Sequence, residues 1–130
     1  MMNVMNELFL TKLGFDYSDF KLIKMDMMNE LYKVILNDID CGLVYISMVE
    51  DNDLYERVPL LREIILKDET LDFFILTNGL KLIFVLTDHN GSLLPQTIDI
   101  NNNPNILEMT CSKHFIKKLI SNRGVNYYHD

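Results

Sequence analysis

Three sets of residues in this chain have types and spacings that could do chemistry. Asp38, Asp40, Glu50, Asp51 and Asp53 are five carboxylates in two short stretches. Brought together, they could surround a hard divalent cation, which takes oxygen ligands. The two stretches flank an intervening apolar segment, so they are expected at its opposite ends and read as solvated turn residues. Cys111 and His114, three residues apart, have half-site spacing for zinc or for a nucleophile–base pair. A structural zinc site needs about four ligands, and only Cys41, His89 and His129 remain. The pair therefore reads as a buried thiol and an exposed imidazole, and no metal or cofactor is expected. Lys113, Lys117, Lys118 and Arg123 form the only basic cluster. It could touch a phosphate backbone, but it suits the solvated face of an amphipathic helix with cations toward its C-terminus.

Elements that must position these groups follow from the apolar pattern. Val4, Leu8, Leu10 and Leu13 have helical spacing, with Gly14 as the stop. Leu22 to Met28 is ambiguous. Glu30 to Leu36 and Leu43 to Val49 read as a strand pair across the turn-rich Asn37 to Gly42, and Glu50 to Asp53 as an acidic loop. Val58 to Leu66 reads as a helix with Pro59 in its first turn and Val58, Leu61, Ile64 and Ile65 on one face. Leu71 to Thr77 and Leu80 to Thr87 are a second hairpin, signalled by the Asn78-Gly79 turn, whose two residues can both take positive φ. The continuous apolar run Leu82 to Leu86 predicts a strand covered on both faces. Asp88 to Gly91 is a turn, Leu94 to Ile100 a peripheral fifth strand, and Asn101 to Pro104 a loop. Ser112 caps a last helix with Phe115, Ile116, Leu119 and Ile120 inward and Gly124 at its end. The expectation is one α/β (α+β) domain over residues 1–124, a central mixed sheet of about five strands with flanking helices, and a flexible tail at 125–130.

Composition bounds the function. With 130 residues, 48% hydrophobic and 24% charged, the chain suits one globular domain. The net charge of −7 disfavours broad binding to nucleic acid. No run reaches the roughly 18 apolar residues of a membrane span, the first residues lack a basic leader, and Cys41 and Cys111 read as reduced thiols. A cytoplasmic protein is expected. Eight methionines and the tyrosines Tyr17, Tyr32, Tyr55, Tyr127 and Tyr128 suit a protein interface, a homodimer included.

Several segments then resemble one family. Leu13-Gly14-Phe15-Asp16, Gly42-Leu43-Val44-Tyr45-Ile46, the Tyr55, Val58-Pro59 and Leu61 pattern, and above all Leu76-Thr77-Asn78-Gly79 before an apolar strand are similar to the N-terminal nuclease domain of type I restriction enzyme R subunits. The resemblance implies a restriction-endonuclease-like core. Family members cut DNA with an Asp on one strand and a Glu-x-Lys on the next, where carboxylates hold a divalent metal. Here the Glu-x-Lys slot falls on Ser47-Met48-Val49, the Asp slot near Lys33, and the supporting Gln and Tyr on Leu60 and Ile64. The resemblance thus implies a nuclease fold without the catalytic motif, hence no enzyme. The expected function is protein interaction through Asp38, Asp40, Glu50, Asp51 and Asp53. Its specific form is a small phage or mobile-element inhibitor of a host defence nuclease, with a nucleoprotein nuclease complex as partner. The alternatives are a nucleic-acid-binding remnant or a restriction accessory subunit using Lys113, Lys117, Lys118 and Arg123, or a metal-dependent nuclease relocated to Asp38, Asp40 and Glu50.

Overall fold

In a computed structural model that describes residues 4–68, 70–87 and 93–129, six strands form one mixed sheet. They are β1 (Phe20–Met25), β2 (Asn29–Leu36), β3 (Ile39–Ser47), β4 (Phe73–Thr77), β5 (Lys81–Thr87) and β6 (Leu93–Asp99), lying side by side in chain order. Every neighbouring pair is antiparallel except β3 and β4. That one parallel pair needs a crossover. Helices α2 (Asp51–Tyr55) and α3 (Val58–Lys67) supply it. An N-terminal helix α1 (Met5–Lys12) and the C-terminal helices α4 (Pro104–Cys111) and α5 (Lys113–His129) complete the chain.

Side-chain alternation divides the core in two. Val44, Ile46, Phe73, Ile75, Leu82 and Phe84 face α1, α4 and α5, and pack with Met5, Leu8, Phe9, Leu107 and Ile116. Leu43, Phe74, Leu76, Ile83 and Val85 face α2 and α3, and pack with Leu54, Leu61 and Ile65. The central strands are therefore buried on both faces, which is why β4 and β5 read as unbroken apolar runs. The α+β class and the central mixed sheet agree with expectation, but the sheet has six strands. The ambiguous stretch from Leu22 supplied the extra one, β1.

Other differences have local causes. Helix α1 is wound as a π-helix, with the Leu13 N–H bonded to Leu8 O at 2.9 Å, and it buries Met5 and Phe9 as well as Leu8. Gly14, at φ 76°, ends it as expected. The acidic loop at Glu50 to Asp53 is the start of α2, where carboxylates favour the positive end of a helix. Helix α4 begins on Pro104 at its first turn, where no N–H is needed, and buries Leu107 and Cys111 one turn apart. Ser112 caps α5 by accepting the Phe115 N–H at 3.2 Å, and Ile116 points inward. Phe115 does not, being 37% exposed. Helix α5 also runs past Gly124 to His129. The predicted turn at Asp88 to Gly91 lies outside the described residues apart from its flanking strands.

The hairpin turns split the two expected mechanisms between them. Asn37 and Asp38 are both at positive φ, 53° and 63°, and join β2 to β3 in a two-residue turn. At Asn78-Gly79 only Gly79 has positive φ, 91°. Asn78 holds its turn through its side chain instead. Its Oδ1 accepts the N–H groups of Leu80 and Lys81 at 3.0 and 2.9 Å. Its Nδ2 donates to Val49 O and Asp51 Oδ1 at 3.0 and 2.7 Å.

Candidate interaction surface

The five acidic residues lie in two places. Asp38 and Asp40 are at the start of β3, and Glu50, Asp51 and Asp53 follow its far end. A nine-residue strand puts roughly 25–30 Å between them. Asp40 pairs with Lys33 at 3.3 Å, Asp38 occupies the left-handed turn, and Asp51 holds Asn78. Glu50 precedes α2 and Asp53 lies in its first turn, both exposed. These residues form no single face. Among the described residues, no three His, Cys, Asp or Glu side chains gather in a metal-binding arrangement.

The basic cluster is divided as well. The Lys113 ammonium contacts Asp19 at 2.7 Å and Asp16 at 2.9 Å, while its backbone N–H bonds Leu13 O. This lysine ties α5 to the turn before β1. Hydrogen bonds to Asp19 and then Asp16 hold Lys113 above its ordinary value, and Lys113 holds Asp16 below the ordinary carboxylate range. A depressed carboxyl contributes stability above its unfolded value near 3.8 and loses it as pH falls further. A raised ammonium contributes below its unfolded value near 10.5 and loses it as pH rises further. Lys113→Met is therefore expected to cost about 1–2 kcal/mol at neutral pH, chiefly by leaving the buried Asp19 unpaired. Urea unfolding across pH checks this: the gap from the parent protein narrows below about pH 4 and above about pH 10.5. Lys117 and Lys118 are exposed, and the Arg123 side chain lies outside what is described. An open groove of about 600 Å³ beside the start of α5 is bordered by Lys12, Glu108, Lys113, His114 and Lys117.

Cys111 is fully buried and His114 exposed, so they make no nucleophile–base pair. Burial pushes the Cys41 thiol up to about 12 and raises Cys111 too, which holds both free thiols in their unreactive form. Ser47, in the resembled Glu-x-Lys slot, is buried and donates to Asn29 Oδ1 at 2.6 Å.

Sequence reasoning missed Glu30. Its carboxyl is 5% exposed on β2, accepts the Tyr32 hydroxyl at 2.8 Å through Oε2, and leaves Oε1 without a hydrogen-bond partner. Burial, then the bond to Glu30, raises the Tyr32 phenol. Tyr32→Phe would leave that carboxyl with no hydrogen bond, and is expected to cost about 2 kcal/mol in urea unfolding.

The longest run of exposed residues among those described is the β1 edge and its turn. Every residue from Lys21 to Met28 is exposed. Leu22 is 46%, Ile23 48%, Met25 62%, Met27 93% and Met28 47% exposed, with Tyr17 nearby in sequence at 62%. Asp26 closes the following turn: its Oδ1 accepts the Met28 and Asn29 N–H groups and the Asn29 side-chain amide. This concentration of exposed apolar residues on one strand and its turn makes the edge the candidate interaction surface. The signal in the sequence was the methionine-rich stretch itself, which packs a core and covers an interface equally well.

The fold and this surface define a small α+β protein with an apolar free sheet edge. Comparison with family models, curated proteins and solved structures found no match. No described helix is long and apolar enough to cross a membrane.

Proposed function

We propose that this chain is a non-enzymatic protein-interaction module. The observation that carries the reading is the exposed apolar run on β1 and its turn, which a partner protein would cover. The contact centre moves from the acidic residues to this edge, because Asp38 and Asp40 stand apart from Glu50, Asp51 and Asp53. The narrower reading is an inhibitor of a defence nuclease with a degenerate restriction-endonuclease-like core. Its support is the net charge of −7, which complements a basic nucleic-acid groove. Affinity capture from a nuclease-treated lysate of the producing cells tests both. A stoichiometric protein partner supports the module, and a nuclease supports the inhibitor. Recovery of this chain alone contradicts both.

A second reading, nucleic-acid binding, is favoured by the groove that Lys12 and Lys117 border. It requires salt-dependent binding of DNA or RNA that Lys117→Glu with Lys118→Glu abolishes.

A further inference from the structure

We propose that the free edge of β1 accepts an added strand: an extended partner segment that alternates acidic with apolar residues. This inference rests on the interaction-module reading and names the class of partner and its mode of docking.

Register gives β1 two chemically different faces. Phe20 and Leu22 lie opposite Val34 and Tyr32, and Met25 lies opposite Glu30 beyond an irregularity in register. Val34 and Tyr32 belong to the core under α1, α4 and α5, so these three apolar side chains share that face. Lys21 lies opposite Lys33, and Lys24 opposite Leu31, which packs on the α2–α3 side. The edge is thus apolar on one face and basic on the other. Lys33 has Asp40 as its partner, and Asp26 is engaged in its turn. Neither Lys21 nor Lys24 has an acid within ion-pair distance among the described residues. Lys24 feels the Asp26 carboxylate only beyond ion-pair distance, so the run from Lys21 to Met28, with two lysines and one aspartate, keeps a positive excess on a chain of net charge −7.

An added strand continues the pleat, so its residues alternate between the same two faces. Main-chain hydrogen bonds supply affinity. Apolar side chains on one face cover Leu22 and Met25, and carboxylates on the other meet Lys21 and Lys24. A second copy of this chain is a poor occupant. Antiparallel pairing of β1 with itself would bring four lysines onto one face of the joined sheet, and like charges on neighbouring strands are destabilising. The opposite edge carries Pro95, which cannot donate to a ladder. Lysines guard β1 against its own kind, while the same lysines attract an acidic strand.

The test titrates the full chain with three synthetic octapeptides that alternate valine with glutamate, glutamine or lysine, read by backbone amide shifts and hydrogen exchange. The glutamate peptide is expected to shift and protect amides within Lys21 to Met28. The lysine peptide, or Lys21→Glu with Lys24→Glu, should weaken binding at least about tenfold. Both lysines are exposed, so the double variant keeps the fold, which circular dichroism verifies. No binding by the glutamate peptide, perturbation away from β1, equal binding of all three peptides, or self-association through β1 each overturns the inference. A captured partner that still binds the double variant overturns strand addition and leaves the interaction module standing. Failure of the capture itself removes both.

Discussion

Asn78→Ala is expected to lower the unfolding free energy by about 3 kcal/mol, measured by urea unfolding. Asn78 is 6% exposed and makes four hydrogen bonds with one side chain. Two close the β4–β5 turn, and two reach across to Val49 and Asp51, where β3 gives way to α2. Alanine leaves these partners short of bonds in a poorly hydrated place, and unmet buried groups cost more than a hydrogen bond gains. Asn78→Asp discriminates between shape and chemistry. One oxygen could still accept the Leu80 and Lys81 N–H groups. The other would face Val49 O and the Asp51 carboxylate, so the loss should equal or exceed that of alanine at neutral pH and ease as acid protonates the pair.

Gly42→Ala is expected to cost about 1–3 kcal/mol through overpacking. Gly42 on β3 lies beside Phe73 on β4 in the parallel register, and a Cβ there would overlap the Phe73 ring. That ring is fully buried and stacks on Phe84 with centroids 5.9 Å apart, so it has little freedom to move aside. Phe73→Leu alone should also destabilise, by opening a void. Combined, the two should cost less than their sum, because the smaller side chain makes room for the methyl group. A double-mutant cycle checks this. Strict additivity would show that the glycine is not needed for the ring.

Local chemistry made much of this architecture legible. Ser112 accepts at the start of α5, Pro59 lies in the first turn of α3, and Gly14 takes the left-handed conformation that stops α1. The double-sided burial of β5 was written in Leu82 to Leu86. What escaped was set by tertiary context. Leu22 to Met28 has no clean alternation, because a register irregularity between Leu22 and Lys24 breaks the period and the free edge leaves apolar residues in water. The acidic run from Glu50 looked like a loop because carboxylates suit both solvent and a helix start. Glu30 carried no sign of burial, and Lys113 read as part of a solvated helix face, whereas the fold brings Asp16 and Asp19 to it. Charge counts pointed to the acidic residues, and only the sheet order showed which strands lie at its edges.

The most direct measurement of the central claim is hydrogen exchange across Lys21 to Met28 in the chain alone and in complex with the protein it captures from the cells that make it. The interaction-module account predicts fast exchange in the free chain and marked slowing along this edge in the complex. Unchanged exchange there, with protection elsewhere, would contradict it.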